Sequence, residues 1–241
     1  MANARILAQN LSRYALTATS TNPSYPLSNL KTGFNFDLWK SASTSQSQVL
    51  NIDLGTAYAI DAVVFDAHNF EALGLSLGLG DDIYIAYSDN GSTYLEYINL
   101  DPFSTDPFFY SFLSATHRYW RIGFNKGSAL STYPEIGNFF IGKLLDFGRS
   151  YDVPYPLFGK TFNTSIGISG TGVIRTSNQF GGRATGKMSF SGDKGGLTDI
   201  VIADFQSAFN LCEGKLRPFY LLDYFNVIRC CHFDTDNDPS E

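Results

Sequence analysis

The sequence predicts a mainly β protein: a sandwich or jelly roll, then a smaller β-rich unit carrying one helix. Three observations predict it. Short runs of alternating apolar and polar residues recur at roughly ten-residue spacing. Turn-forming clusters such as Asn22–Pro26 and Asp89-Asn90-Gly91-Ser92 stand between them. Helical periodicity of apolar residues is found only from Leu197 to Cys212.

The pattern is organised around Val49 to Asn69, VLNIDLGTAYAIDAVVFDAHN. Leu50, Ile52 and Leu54 alternate with Asn51 and Asp53, the mark of a half-buried strand. Gly55 is expected to end that strand in a turn, because glycine accepts a positive φ. Ile60 to Phe65 is apolar on both faces and β-branched, which predicts a central strand. Upstream, Ala15–Thr19 reads as a strand, and the prolines of Asn22–Pro26 exclude helix. Leu27 to Ser41 reads as a short turn followed by an aromatic plug of Phe34, Phe36 and Trp39. Downstream, Glu71–Gly80 reads as a flexible loop, Asp82–Ser88 as a strand and Asn90-Gly91 as its hairpin turn, with Tyr94–Leu100 returning. Pro102–Pro107 is a loop, and His117–Phe124 and Ile136–Leu145 are the last strands of this unit. Its expected core includes Leu50, Ile52, Leu54, Val64, Ile85, Trp120 and Ile122.

The second unit begins near residue 148, giving domains 1–147 and 148–241. Strands are expected at Thr161–Ile168, Gly172–Thr176 and Arg183–Ser191. A helix near 198–212 carries Ile200, Val201, Phe205, Ala208, Phe209 and Cys212 on one face, with Gly214 placed as its C-cap. Arg217–Tyr224 and Val227–Phe233 read as a final strand pair, followed by an acidic tail.

Composition narrows the function classes. The chain has 241 residues, a formal net charge of -6 and only 17 Lys and Arg, so a nucleic-acid footprint is not expected. With 21 Phe, 14 Tyr and 17% charged residues, part of the surface is expected to be covered by partners. No apolar run reaches the roughly 20 residues of a membrane span, and MANARILAQNLSRY lacks the layout of a secretory signal. Cys212, Cys230 and Cys231 are odd in number and two are adjacent, so no disulfide framework is implied and folding in a reducing cytoplasm is expected.

Four short motifs in residues 22–145 carry a family resemblance: Asn29-Leu30-Lys31-Thr32-Gly33 with Trp39-Lys40-Ser41; Leu50 to Gly55 with Ile60; Ser88 to Ser92 with Tyr94; and Arg118-Tyr119-Trp120-Arg121-Ile122. In this order they resemble the galactose-binding-like jelly roll of discoidin and coagulation factor 5/8 C-terminal domains. The whole chain resembles distal tail, or tail-tip, structural proteins of long-tailed bacteriophages, by His68-Asn69, Ile141-Gly142-Lys143-Leu144, Arg175 to Gly182, and Gly214 to Phe219. The chain departs from that group by ending soon after Cys231-His232-Phe233, where the resemblance implies more chain.

Chemistry-bearing constellations are sparse. His68, His117 and His232 have no metal-ligand spacing, so a structural His-Asn turn, with the imidazole capping loop carbonyls, is expected at 68–69. No G-x-S-x-G elbow occurs, and the glycine runs at 74–80 and 167–172 lack the GK[ST] of a phosphate loop. Asp234, Asp236 and Asp238 mimic half a calcium loop, but Pro239 breaks it. Asp81, Asp82 and Asp89 are weighed as ligands for calcium or sugar hydroxyls, against the commoner reading of exposed hairpin carboxylates. The expectation is therefore no catalytic, cofactor or metal site.

The resemblance implies a non-enzymatic virion structural protein at a tail tip or baseplate. It would join tail tube or hub to peripheral components, in a homo-oligomeric ring, assembled in the host cytoplasm. Assembly contacts are expected from the second unit: Phe158, Phe162, Phe180, Phe219 and Tyr220. The alternative is a carbohydrate-binding module for host-surface glycan, with contacts at His68, Asn69, Phe70 and Tyr94, and with Phe103 as a further candidate.

Overall fold

A computed structural model describes residues 3, 5–8, 14–34, 36–75, 81–100, 107–146, 158–161, 164–168, 174–178, 183–186, 199–213, 219–222 and 228–231. Through Asp146 the strands are β1 (Arg5–Ala8), β2 (Ala15–Ala18), β3 (Trp39–Lys40), β4 (Ser47–His68), β5 (Asp82–Ser88), β6 (Leu95–Leu100), β7 (Phe108–Asn125), β8 (Glu135–Gly142) and β9 (Leu145–Asp146). Then come β10 (Phe158–Thr161), β11 (Thr164–Ile168), β12 (Ile174–Asn178), β13 (Arg183–Gly186), the helix α1 (Asp199–Leu211), β14 (Phe219–Leu222) and β15 (Ile228–Cys231). Among the described residues, the 3₁₀ turns Leu27–Lys31 and Phe70–Leu73 interrupt the loops.

The expected turn at Gly55 is not a strand end. Val49 to Asn69 lies almost wholly in β4, one 22-residue strand. Gly55 does take a positive φ, +77°, and the pairing with β7 slips between Asp53 and Tyr58. The reason the strand survives is that β7, with 18 residues, is nearly as long and bends with it, so pairing resumes at Tyr58↔His117 and, after a second slip between Ile60 and Ala62, reaches Phe65↔Phe108. Each long strand therefore serves both layers of the sandwich. The first arm of β4 pairs with β2 and with the second arm of β7, which continues to β5 and β6. The second arm of β4 pairs with the first arm of β7 and with β8, which continues to β3.

Between the layers lies one core. Leu50, Ile52, Leu54, Ile60, Val63, Phe65, Ile83, Ile85, Trp120, Ile122 and Phe124 are buried in it, together with Trp39 and Phe70. Phe65 packs against Phe70, Phe108 and Phe139 with centroids 5.1, 6.4 and 5.1 Å apart. The expected aromatic plug is only one-third right. Trp39 is fully buried and donates through Nε1 to Thr21, whereas Phe34 and Phe36 face solvent. The hairpin after β5 is longer than the two residues Asn-Gly suggests. Ser88 Oγ accepts from the backbone N–H of Asn90 and Gly91, and Asn90 Oδ1 accepts from Ser92 and Thr93.

A second sheet, ordered β15-β14-β1-β9, lies on the outside of the sandwich. β1 is its inner strand, antiparallel to β14 through Arg5↔Leu222 to Ala8↔Phe219, and to β9. Leu7 and Tyr220 from this sheet bury Ala62, Val64 and Phe140 from the sandwich. This explains why Ile60–Phe65 is apolar on both faces: Val63 and Phe65 face the sandwich core, Ala62 and Val64 face the second sheet. Val64 is core, as expected, but of this seam rather than of the sandwich. Tyr220 Oη donates to Asp66 Oδ2 at 2.5 Å across the seam. The division expected at 147/148 is thus crossed by β1, which belongs to the first 147 residues and pairs with β14.

The helix matches its expected span within a residue or two; among its described side chains Ala208 and Phe209 are buried, as is Cys212 just beyond it. β10 pairs with β13 and β11 with β12 as two-stranded sheets. Gly214 and the tail aspartates lie outside the described residues.

Candidate functional site

Pairing fixes the two ends of the sandwich. The start of β4 and its end meet at the same end, because the loops there are tied together: Leu130 N–H donates to Thr44 O, Lys126 N–H to Gln46 O, and Ser131 N–H to Leu73 O, at 2.8–2.9 Å. The other end holds Gly55, Tyr58, Asp89 and His117.

At the first end two tyrosines flank an ion pair. Tyr25 and Tyr133 are each 41% exposed. Lys40 Nζ lies 5.8 Å from the Tyr25 ring centroid and 5.4 Å from that of Tyr133, and 2.5 Å from Glu135 Oε1. Each tyrosine precedes a proline, in Ser24-Tyr25-Pro26 and Thr132-Tyr133-Pro134. Proline forces the preceding residue toward extended backbone, which holds each ring out of its loop. Lys40 N–H donates to Tyr25 O at 3.2 Å, and Ser41 N–H to Pro134 O at 2.9 Å, so β3 fixes both loops.

Asn69, just after β4, ties into this arrangement. Asn69 Nδ2 donates to Tyr133 O at 2.8 Å, and Asn69 Oδ1 accepts from Glu135 N–H at 2.9 Å. The His68 ring stacks on Phe70 at 4.2 Å, and its Nδ1 accepts from the Phe70 N–H. The turn expected at 68–69 binds a loop carbonyl through its asparagine. Ala67, just before, holds φ at +53°, a conformation costing about 1 kcal/mol or more in a non-glycine residue.

Of the glycan contacts expected from the sequence, His68 and Asn69 are half-buried, and Asn69 is bonded to the backbone of Tyr133 and Glu135. Phe70 is fully buried, because the 3₁₀ turn folds it under the loop onto Phe65 and Phe124, and that takes it out of a ligand's reach. Tyr94 is not brought to this end. Its ring lies under Arg121, 3.7 Å from the guanidinium carbon, and Arg121 Nε donates to Asn51 Oδ1 on the outer face of the first layer. Phe103 lies outside the described residues. Tyr25 and Tyr133 were missed by sequence reasoning, although the repeated hydroxyl-Tyr-Pro tripeptide marks both.

The expected assembly residues divide similarly. Phe219 and Tyr220 are buried within the chain, Tyr220 in the seam against Phe140 at 4.8 Å, so neither is free for a partner. Phe158 opens β10, while Phe162 and Phe180 lie outside the described residues.

The acidic candidates do not converge. Asp81 Oδ1 accepts from Gly127 N–H, and Asp82 lies near Glu96, with burial the main cause of its raised pKa. Asp89 stands at the far end of β5 and bonds His117 Nδ1 at 2.7 Å. Among the described residues no group of three His, Cys, Asp or Glu side chains is placed to hold a metal ion. Also at that end, Arg118 Nε and Nη2 donate to both Asp53 oxygens at 2.7 and 2.9 Å. That bond holds the Asp53 carboxyl below the usual carboxylate range, and the Gly55 N–H adds to it.

No protein-family model matches the chain, and no curated protein matches it significantly. Solved structures similar to it are carbohydrate-binding modules. Chitosan-binding module 1 from a chitosanase/glucanase of Paenibacillus sp. IK-5 is 17% identical, with a TM-score of 0.44 over 56% of this chain and 99% of that one. The family 32 module of NanJ from C. perfringens, solved with galactose, is 16% identical, with a TM-score of 0.45 over 56% and 98%. CpGH89CBM32-5 of Clostridium perfringens, solved with GalNAc-β-1,3-galactose, is 13% identical, with a TM-score of 0.47 over 56% and 99%. Identities this low carry no ligand or partner from those modules to this chain, and no tail protein stands among these three.

Proposed function

We propose that this chain is a non-enzymatic structural adaptor of a phage tail tip, with the jelly roll fused to an assembly unit. The observation that carries this reading is the shared sheet. β1 enters between β9 and β14, and Tyr220 and Leu7 cover Ala62, Val64 and Phe140. A lectin appended to an enzyme is ordinarily a bead on a linker, with few contacts crossing the boundary. Here a buried apolar seam and a buried hydrogen bond tie β14 to β1 and the sandwich, which suits transmission of position in an assembly. The motif order in the sequence supplies the tail-tip identity. Mass spectrometry of purified particles, with cryo-electron microscopy of the tail tip, tests it. The chain should be present in stoichiometric amount, with residues after 148 nearer the tail axis than Asn90-Gly91. Its absence from particles sinks the reading.

A second reading, a carbohydrate-binding module, is favoured by one observation: the exposed Tyr25 and Tyr133 rings around Lys40 and Glu135. Aromatic faces stack on sugar C–H surfaces while a charged pair hydrogen-bonds hydroxyls. A glycan array would show reproducible binding, lost in Tyr133→Ala and kept in Tyr94→Ala. An array with no binding rejects this reading, and so does binding that Tyr133→Ala leaves intact.

A further inference from the structure

Asn90-Gly91 is the one Asn-Gly pair in the chain, and neither functional reading above draws on its chemistry. The hairpin after β5 dictates both residues. Gly91 holds φ at +69°, which favours glycine, and the Tyr119 ring closes over it, so that a Cβ there would lie 3.1 Å from Tyr119 Cε1. Asn90 caps the turn. Its Oδ1 accepts from the N–H of Ser92 at 2.8 Å, from the N–H of Thr93 at 2.9 Å and from Ser88 Oγ at 3.0 Å. The Ser88 oxygen in turn accepts from the N–H of Asn90 at 3.2 Å and of Gly91 at 3.0 Å. Ser88 is buried, whereas Asn90 is exposed to water.

Such a pair carries a reaction of its own. With no Cβ in the way, the glycine nitrogen can approach the carboxamide carbon of the asparagine before it. Base takes the Gly91 amide proton, the nitrogen attacks Asn90 Cγ, and Nδ2 leaves as ammonia, closing a five-membered succinimide. Water then opens either carbonyl of that ring and leaves aspartate or isoaspartate at position 90. The balance is one water consumed and one ammonia released, with no oxidant and no second protein. In the bonded hairpin both reacting groups are engaged. The Gly91 N–H is given to Ser88 Oγ, and three donors hold Oδ1, which resists the rotation that would turn Cγ toward the Gly91 nitrogen.

We propose that Asn90 is a site of spontaneous deamidation, held closed by Ser88 and the cap and opened when the hairpin tip frays. The rate in the folded chain is then the unfolded rate multiplied by the fraction of time the tip is open. The products change this end of the sandwich. Aspartate adds a negative charge beside Asp89 and its contact with His117. Isoaspartate adds a methylene to the backbone between β5 and β6, which parts Ser88 from the cap it supports. The inference depends on neither the tail reading nor the glycan reading.

Peptide mapping by mass spectrometry of the full chain, incubated at mildly alkaline pH, tests it. In guanidinium chloride Asn90 deamidates ahead of every other asparagine. In the folded wild type it does so at least about tenfold more slowly than in the unfolded chain. Ser88→Ala, shown by circular dichroism to be folded, removes a donor to Oδ1 and the acceptor of the Gly91 N–H, and it reacts at least about threefold faster than the folded wild type. Equal rates in the folded and unfolded wild type overturn the proposal, and that comparison stands whether or not Ser88→Ala folds. A different asparagine leading in the unfolded chain overturns it too, as does a folded Ser88→Ala that reacts no faster than wild type.

Discussion

Replacing Tyr220 by Phe removes one oxygen and almost nothing else, which isolates the polar part of the seam. Tyr220 is buried, and its hydroxyl donates to a buried Asp66 carboxylate at 2.5 Å. Hydrogen bonds to charged groups contribute roughly 1.5–3 kcal/mol, so a loss of about 2 kcal/mol is expected. At roughly 2–4 °C per kcal/mol for a chain of this size, Tm should fall by about 4–8 °C. There is a second signature. Burial, with the Asp66 charge adding to it, raises the Tyr220 pKa far above its ordinary 10.0. A group whose folded pKa is raised gives stability that is fully present below the unfolded value and lost as pH rises. The wild type should therefore lose stability above about pH 10, and Tyr220→Phe should lose it less steeply, because that proton is gone. Thermal melts from pH 7 to 11 measure both effects. A variant within about 1 °C of wild type at pH 7, with an unchanged alkaline slope, would refute the argument that this bond holds the seam.

Three other outcomes follow from the same geometry. Ile52→Asp places an unpaired charge between the layers, and urea denaturation should show a loss of several kcal/mol; wild-type stability would place Ile52 outside the core. Arg118→Ala removes the partner that lowers the Asp53 pKa. Both side chains are partly exposed, so the cost is below about 1 kcal/mol at neutral pH. The lowered Asp53 pKa adds stability that is present above the ordinary carboxylate value of 3.8 and lost as pH falls through the folded one. The gap between acid melts of wild type and Arg118→Ala should therefore narrow as pH falls below 3.8, and a gap that does not narrow contradicts the assignment. Chelation with EDTA should leave Tm unchanged; a drop restored by calcium would show that the separated aspartates recruit a cation after all.

The sandwich was legible where one face of a strand was buried and the other wet. β5 falls at Asp82–Ser88 as its alternation predicts, and Leu50, Ile52, Trp120 and Ile122 are where their periodicity puts them. Gly55 misled because a positive φ marks both a turn and an irregularity inside a long strand. Only the partner's length decides between them, and that is not local information. The site was half legible. Asn69 bonds to the loop that carries Tyr133, but Phe70 was read as a surface contact although the next turn folds it into the core. Phe34 and Phe36 erred in the opposite sense. Their apolar character predicts burial, whereas the hydrogen bonds that hold their loop outward depend on Asn29 and Asn138, the latter far along the chain.

The seam was legible only as a surplus. A strand in a two-layer sandwich needs one apolar face, yet Ile60–Phe65 has two and β8 is buried nearly throughout. Such doubly apolar strands require a third layer. Nothing local says that four residues at the N-terminus, RILA, and four near the C-terminus, FYLL, supply it. Both runs are too short to show a period, and each is held by its neighbours in one sheet. A boundary placed by composition at the end of the jelly roll therefore cuts between strands that share one sheet. The physical unit follows from asking what covers Ala62, Val64 and Phe140, and the answer is Leu7 and Tyr220 from opposite ends of the chain.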